Sequence, residues 1–437
     1  MKKSLVVFLT IVTALLLSVG FAQDYENVSP EGQTITFWHQ HTRSRADALN
    51  EIIATFNETN PYGITVNAEY QGGYGDIYKK MVPVLGTSDS PNLVVAYQNQ
   101  AATYAVADGM VDMTSLVDSP KWGLSADDKA DFFAAFLNAD VFPSFDNARY
   151  GFPPNRSMEV MYYNEDWLKE LGFDGPPTTF EEFKNMACAA SQNPYSKATS
   201  EGSLGYELSI DASRFASWTF AFGGDIFDYE ANQYTYDSPA AIEAMTYLQG
   251  LFDEGCAAVV TERYGDQSNF GAGRTLFTVG STSGLPYYGS AVDDGAAFNW
   301  SVAPLPQKGD TQINLYGASV SIPSGHSLEQ NLATWEFIKY YTSPEVQAKW
   351  AQASNYFPVR KSVAANLGDY FEKNPAYKKA FDFLQYGKTE PPVPGYDEVR
   401  DLIASEMAAI MDGEDVVSTL KLATAEANFL LEEQLGE

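Results

Sequence analysis

Signals for β-strands and α-helices alternate along almost the whole chain, and this alternation limits the possible folds more than any other feature of the sequence. Residues 34–38 and 92–97 have the pattern of strands, and helical patterns follow them from about 43 to 57 and from about 101 onward. Such alternation is typical of α/β proteins with a largely parallel sheet. The sequence therefore predicts an α/β fold.

Several predicted helices begin with capping residues. Thr179 precedes Glu182 by three positions, and Ser327 stands in the same relation to Gln330. This is the spacing of a capping box, in which each side chain bonds a free backbone N–H of the other residue. These signals favour helices that begin at residues 180 and 328.

The first 22 residues have the pattern of an export signal. Lys2 and Lys3 precede an apolar run over 5–17, and small residues follow around Gly20 and Ala22. A membrane-spanning helix needs about 20 apolar residues, more than this run offers. We therefore expect a signal peptide over 1–22 that is cleaved after Ala22, and a periplasmic or otherwise extracytoplasmic protein.

Length and charge restrict what the rest of the chain can do. A chain of 437 residues is too long for one hydrophobic core and predicts two domains. The 57 acidic residues outnumber the 27 basic ones and give a net charge of −30. Such a surface repels phosphate backbones, so we expect no nucleic-acid partner.

The sequence contains two cysteines, Cys188 in a predicted helix and Cys256 just after another. In an exported protein this pair favours one intramolecular disulfide. Two buried free thiols are the alternative, because the sequence does not give the separation of the two Cα atoms.

His39 and His41 lie where the first predicted strand ends, at the edge where open α/β sheets bind ligands. The pair could supply half of a metal site, but His326 is the only other histidine in the chain. We favour a structural histidine beside a ligand-binding amide from Gln40, and we predict no metal and no cofactor.

An enzyme is the alternative of another class. The sequence shows no nucleophile elbow, P-loop or dinucleotide-binding glycine pattern. Glu159 would be the first candidate acid of a secreted carbohydrate-active enzyme. We favour a solvated or hydrogen-bonded strand residue at this position, and hence a protein that is not an enzyme.

Aromatic residues make up 14% of the chain, and several fall at predicted strand ends and in loops. A tyrosine or tryptophan ring offers an apolar face to the C–H face of a sugar, while nearby amides pair with its hydroxyl groups. Each ring could equally belong to the core, and only a shared cleft would decide. The candidates are Tyr74, Tyr97, Trp218, Tyr287, Tyr316 and Tyr356.

Short motifs in a fixed order carry a resemblance to a known family. They are residues 36–39 (TFWH), 56–61 (FNETNP), 150–154 (YGFPP), 161–164 (MYYN) with Trp167 and Leu168, 270–273 (FGAG) and 356–358 (YFP). From Thr34 to beyond Met411 the chain resembles the family 1 extracellular solute-binding proteins of ABC importers, which include maltose-binding and glycerol-3-phosphate-binding proteins.

The resemblance implies a two-lobed type II periplasmic-binding-protein fold with discontinuous lobes. The implied N-lobe holds residues 33–155 and 306–357, and the implied C-lobe holds 156–305 and 358–437. Crossing strands are expected near 153–160, 302–305 and 355–359. The implied partners are a small solute, bound as the lobes close, and an ABC-type membrane permease, and we expect a monomer.

The resemblance also implies ligand-binding residues between the lobes. Asp211 and Trp218 are the weaker placements because the loop around them aligns poorly. The full set is Gln40, His41, Tyr74, Gln98, Asn155, Arg156, Ser157, Asp211, Trp218, Ser281, Thr282, Gly317 and Tyr356.

The chain departs from the glycerol-phosphate binders in two places. Pro392 stands near the position where they bring an arginine to the phosphate, and the next arginine is Arg400. Gln98 stands where they carry a glutamate. The missing arginine favours an uncharged sugar or sugar-like polyol. Glutamine in place of the carboxylate also softens any preference for a cation or for many hydroxyl donors. Arg156 could replace the missing charge, which leaves glycerol 3-phosphate or a glycerophosphodiester as the alternative ligand.

Overall fold

The computed structural model describes residues 24–262 and 264–436, so the predicted signal peptide lies outside the described residues. Within this part the chain forms strands β1 (Thr34–His39), β2 (Thr65–Tyr70), β3 (Leu93–Ala96), β4 (Val141–Phe142), β5 (Ala148–Arg149), β6 (Ser157–Asn164), β7 (Leu204–Leu208), β8 (Phe227–Asp228), β9 (Gln233–Tyr234), β10 (Ala257–Val259), β11 (Thr275–Ser281), β12 (Trp300–Ala303), β13 (Ile313–Tyr316), β14 (Ser319–Ser321) and β15 (Gly387–Thr389).

The α-helices of the same part are α1 (Arg43–Thr59), α2 (Tyr74–Met81), α3 (Gln98–Val106), α4 (Thr114–Val117), α5 (Ala126–Asp131), α6 (Ala134–Asn138), α7 (Glu165–Glu170), α8 (Phe180–Gln192), α9 (Ala212–Ala221), α10 (Pro239–Asp253), α11 (Gly265–Gly271), α12 (Leu285–Asp294), α13 (Leu328–Tyr341), α14 (Pro344–Ser354), α15 (Gly368–Lys373), α16 (Pro375–Phe381), α17 (Tyr396–Met411) and α18 (Val416–Leu435). Short 3₁₀ helices occur at Val82–Val84, Pro143–Phe145, Thr282–Gly284, Lys361–Asn366 and Leu384–Tyr386.

The capping signals mark real helix starts. Thr179 accepts a hydrogen bond from the backbone N–H of Glu182 at 3.1 Å, and α8 begins at the next residue. Ser327 accepts one from the N–H of Gln330 at 3.3 Å before α13. Both predicted capping boxes are confirmed.

Two large sheets organise the described part of the molecule, which also holds the small pairs β4-β5 and β8-β9. The first has the order β14-β3-β1-β2, in which β1 runs parallel to β2 and β3 while β14 is antiparallel to β3. The second has the order β10-β7-β11-β6-β13-β15, with β12 also paired to β6. We call the parts built around these sheets the N-lobe and the C-lobe. The predicted α/β class is confirmed, although β6 is antiparallel to β11, β12 and β13.

Helices cover the sheets with apolar faces, as the packing of α1 shows. The predicted face of Leu49, Ile52, Ile53 and Phe56 is buried in the structure. The ring of Phe56 meets that of Phe337 in α13 with centroids 5.2 Å apart. Burying each such side chain contributes about 1.5–3 kcal/mol, so this face fixes α1 against the sheet. No helix in the described part has the length and apolarity that a membrane crossing needs.

The chain passes between the sheets at three places, and one of them differs from the expectation. Phe152 bridges to Val320 of the first sheet and Arg156 bridges to Phe357, close to two of the expected crossings. The other was expected at 302–305. However, β13 pairs with β6 in the second sheet and β14 pairs with β3 in the first. The chain therefore changes sheets at 317–318, and residues 313–316 lie in the C-lobe sheet rather than in the expected N-lobe segment 306–357.

The backbone conformation at this crossing favours a glycine. Gly317 has φ of 148°, a region that side chains disfavour. A Cβ there would also lie 3.3 Å from the Cα of Arg156 on the neighbouring crossing strand. The two crossing segments can approach this closely because residue 317 has no side chain.

A disulfide joins Cys188 in α8 to Cys256 just before β10, and their Cα atoms are 4.5 Å apart. The bond ties a helix on the face of the second sheet to the sheet's edge strand. It closes a loop with a sequence separation of 68 residues.

We expect the double substitution Cys188→Ser/Cys256→Ser to lower the free energy of unfolding by about 4 kcal/mol, because a loop of this length restricts the unfolded chain by about that amount. Urea unfolding of both proteins, with and without dithiothreitol, measures the effect. Reductant should destabilise only the protein that retains both cysteines. Equal stabilities would contradict the assigned role of the bond.

Candidate functional site

A cleft of about 1600 Å³ lies between the lobes. From the N-lobe it is lined by the starts of α1, α2 and α3. From the C-lobe it is lined by the segments that follow β7 and β11 and by residues around the start of α17. Because both lobes supply side chains, a solute in this cleft would contact both at once.

Tyrosine rings form much of the N-lobe wall. Tyr74 begins α2 and packs on Tyr97, the N-cap of α3, with ring centroids 4.7 Å apart. Gln40 donates from Nε2 to the Tyr74 hydroxyl at 2.9 Å. Burial raises the pKa of both phenols, so the rings stay neutral. This wall therefore presents apolar faces whose hydroxyl groups can donate or accept hydrogen bonds.

On the C-lobe side, β6 brings the carboxylate of Glu159 into the cleft. Glu159 is 3% exposed and forms an ion pair with Arg214 of α9. Tyr316 and Ser217 also donate to it, at 2.9 and 3.1 Å. Register between β6 and β11 sets Ser281 beside Glu159. The oxygens of the Glu159 carboxylate are thus engaged by protein groups, as expected for a hydrogen-bonded strand residue.

A second ion-pair cluster forms around Arg400 of α17. Its Nη1 lies 2.5 Å from Glu390 and its Nη2 lies 3.1 Å from Asp211, the N-cap of α9. Burial alone would raise the pKa of Glu390, but Arg400 and hydrogen bonds from Ser213 and Tyr396 outweigh it and hold the pKa below its ordinary value. The Glu390 carboxylate is therefore held in an ion pair with the Arg400 guanidinium.

Arg156, on the crossing strand, reaches the floor of the cleft but is 0% exposed. Its Nη2 lies 2.9 Å from Asp140, whose side chain is equally buried. The guanidinium also donates to the backbone oxygen of Asn155 at 3.0 Å. Its charge is therefore already balanced inside the protein.

The two walls of the cleft differ in the charged residues that line them. Among the lining residues that the structure describes, the N-lobe contributes Arg43, Arg45 and Lys79 and no carboxylate. The C-lobe wall is acidic, with Glu159, Asp211, Glu262, Asp266, Glu390, Asp397 and Asp401 against Arg214 and Arg400.

Comparison with known families decides what kind of site this is. Residues 51–379 match the family model described as bacterial extracellular solute-binding protein. This chain belongs to that family. The resemblance noted in the sequence is thereby confirmed, and the cleft between the lobes is the site at which this solute-binding protein would hold its solute.

Relatives and solved structures agree with this assignment. The sn-glycerol-3-phosphate-binding periplasmic protein UgpB of Shigella flexneri is 22% identical over 404 residues, which cover 87% of this chain and 88% of that protein. UgpB from Mycobacterium tuberculosis in complex with glycerophosphocholine has a TM-score of 0.76 and 24% identity over 92% of this chain and 99% of that one. The sugar-binding protein MalE from Xanthomonas citri has a TM-score of 0.79 and 19% identity over 92% and 98%. These likenesses confirm the two-lobed fold.

Of the predicted site residues, the structure places Tyr74, Gln98, Arg156, Asp211 and Ser281 in the lining of the cleft. The others do not line it: Gln40, His41, Asn155, Ser157, Trp218, Thr282, Gly317 and Tyr356. Gln40 still acts through its bond to Tyr74. The face of Tyr356 carries the guanidinium of Arg45 at 4.5 Å.

Several predicted residues have structural roles in this solute-binding protein. Trp218 is 0% exposed in the C-lobe core, where its indole donates to Tyr206 at 3.1 Å, so its expected place in the cleft is corrected. Asn155 accepts from the indole of Trp350 at 2.8 Å. Thr282 accepts from a backbone N–H at 3.1 Å and is 1% exposed.

Sequence reasoning missed most of the charged cleft residues. Arg214 pairs with Glu159, and Arg400 pairs with Asp211, across elements that are far apart in the chain. Arg400 also pairs with Glu390, 10 residues before it. No local pattern distinguishes them from surface charges. Tyr396 begins α17 and donates to Glu390 at 2.6 Å, and no local pattern pointed to this role either.

His39 and His41 are buried at the end of β1. The Nδ1 atom of His39 accepts from the backbone N–H of His41 at 3.2 Å. Burial lowers the pKa of His39 to about 4, and burial with the charges of His39 and Arg45 lowers that of His41 to about 3. Both imidazoles are neutral in the folded protein near neutral pH.

We expect stability to fall as the pH drops below 6.5, because the unfolded chain then protonates histidines that the folded protein keeps neutral. Each can contribute up to about 1.4 kcal/mol per pH unit until its folded pKa is reached. Urea unfolding between pH 7.5 and 5 tests this. The variant His39→Asn/His41→Asn should show a shallower slope, and parallel curves would contradict it.

Proposed function

We propose that this solute-binding protein captures a sugar or sugar-like polyol between its lobes and delivers it, chemically unchanged, to an ABC-type permease. The observation that carries the proposal is the lining of the cleft, where tyrosine rings stand beside amides and hydroxyls. Rings stack on the C–H faces of sugars, and the polar groups pair with their hydroxyls.

The state of the buried charges supports an uncharged solute. Glu159, Asp140 and Glu390 are each neutralised by an arginine of the same protein. A neutral solute can enter without breaking these pairs. Removing one partner of a buried pair costs about 3–5 kcal/mol, which disfavours a ligand that would recruit Arg156 or Arg400 for itself.

Glycerol 3-phosphate or a glycerophosphodiester is the second candidate, favoured by one observation. Arg43, Arg45 and Lys79 line the N-lobe wall without a carboxylate among its described lining residues. A phosphate could pair with these cations. This route replaces the earlier expectation that Arg156 would serve, since Asp140 already holds that guanidinium.

The permease partner, the extracytoplasmic location and the absence of catalysis belong to the same proposal. The family is described as extracellular, and the relatives named above are binding proteins. A solute that contacts both lobes of such a cleft stabilises the closed state of the protein. We infer a receptor whose output is closure and delivery, with no bond made or broken in the solute.

A thermal-shift screen against sugars, polyols, glycerol 3-phosphate and glycerophosphodiesters tests the ligand class, because a ligand that binds only the folded state raises the melting temperature. We expect the largest shifts from neutral sugars or polyols. Shifts from phosphate compounds alone would favour the second candidate. Incubation with a glycoside panel should release no products, and turnover would contradict the receptor.

We expect Tyr74→Ala to weaken binding of the best neutral solute at least tenfold, about 1.4 kcal/mol, because the solute loses a ring that it stacks on. Tyr74→Phe retains the ring and should lose far less. Calorimetric titration measures both. Tyr386→Ala, at an exposed tyrosine outside the cleft, is the matched control. An unchanged affinity for Tyr74→Ala would remove this ring from the site.

A further inference from the structure

Asp140 is a buried carboxylate behind the cleft wall with no role so far beyond its pairing with Arg156. It is 0% exposed and follows α6. Its oxygens accept from Arg156 Nη2 at 2.9 Å and from Ser319 Oγ at 2.6 and 2.8 Å. They also accept from Gln98 Nε2 at 3.0 Å. Of these groups, Gln98 and Arg156 line the cleft, and Gln98 is the one whose side chain is partly exposed there.

The space for this carboxylate depends on a second glycine. A Cβ on Gly151 would lie 2.9 Å from Asp140 Oδ1 and 3.1 Å from the Cβ of Ser319. The first of these contacts is closer than real Cβ atoms come to their neighbours, so a larger residue would displace Asp140. The absence of a side chain at 151 therefore lets Asp140 and Ser319 meet behind Gln98.

The amide nitrogen of Gln98 is surrounded by acceptors. Besides Asp140, it lies 3.1 Å from Ser319 Oγ and 3.3 Å from the backbone oxygen of Gly317. Ser319 has one hydroxyl hydrogen, and its short contacts with Asp140 show where that hydrogen points. Its oxygen is then an acceptor toward Gln98. All three neighbours of the nitrogen accept hydrogen bonds.

The orientation of the amide follows from these neighbours. Turning it over would set Oε1 against a carboxylate oxygen and a carbonyl oxygen, and neither can donate. Buried acceptors that face each other without a proton are costly. Nε2 therefore stays inside, and Oε1, which accepts no hydrogen bond from any described residue, is left for the cleft.

We infer that Asp140 is a positioning residue that makes Gln98 an obligate hydrogen-bond acceptor toward the solute. This inference rests on the proposed function and sharpens it. A sugar or polyol hydroxyl can donate to Oε1, whereas the ionised oxygens of a phosphate or carboxylate have no proton to donate and are repelled by it. Gln98 thus accepts a hydrogen bond from the solute as a carboxylate would, but it carries no charge.

A glutamate could not replace it beside Asp140. Two carboxylates would then face each other next to a single guanidinium, that of Arg156, and one of them would need a proton. A glutamine held by Asp140 avoids this conflict. The pairing of residues 98 and 140 explains why an amide at this position need not weaken the preference for hydroxyl donors.

The positioning is tested without a solute by hydrogen exchange of side-chain amides in ¹⁵N-labelled protein. We expect the Gln98 amide to exchange at least tenfold more slowly than that of Gln267, a cleft glutamine whose amide has no partner among the described residues. Asp140→Asn should remove most of this difference. Ser319→Ala, which keeps the Asp140–Arg156 pair, gives the same comparison if Asp140→Asn does not fold. Equal exchange in the unmodified protein overturns the inference.

The selectivity is tested by titrating the best neutral solute and glycerol 3-phosphate. We expect the unmodified protein to prefer the neutral solute at least tenfold, and Asp140→Asn or Ser319→Ala to reduce that ratio at least threefold. Gln385→Met, at an exposed site outside the cleft, should leave the ratio unchanged. If neither Asp140→Asn nor Ser319→Ala changes the ratio, the inference is overturned while the proposed function stands. Failure of every neutral solute to bind overturns both.

Discussion

Arg156 is a fully buried cation at the point where the chain passes from one sheet to the other, and a charge in such a place must be balanced. Asp140 balances it, and Ser319 on the neighbouring crossing segment bonds to both. This network joins two crossing segments to the wall of the cleft. The crossing segments and the cleft wall therefore share one buried set of hydrogen bonds.

The need to balance buried charges also determines the contacts in the rest of the cleft. Arg214 pairs with Glu159, and Arg400 pairs with Glu390 and Asp211, so these charges of the cleft wall are engaged within the protein. Tyr74 and Tyr97 in the N-lobe wall remain uncharged because burial raises their pKa values. In a protein with a net charge of −30, the carboxylates Glu159 and Glu390 of the cleft are thus held in ion pairs.

The sequence predicted the parts of the fold that local patterns encode. The capping boxes at Thr179 and Ser327 and the apolar face of α1 each depend on residues a few positions apart. The crossing at 317–318 was missed because only pairing with distant strands reveals it. In the site, the aromatic pattern pointed to Tyr74 and the family resemblance to Gln98, and both line the cleft. Trp218 was placed through a loop that aligns poorly, and its ring lies in the core.

The account depends on two lobes that close on an intact solute. Small-angle X-ray scattering measures this most directly, through the radius of gyration without solute and with the neutral solute that gives the largest thermal shift at saturation. We predict that the radius decreases when the solute is present, because a bridging ligand shifts the population toward the closed state. A radius that does not change at saturation would contradict the account.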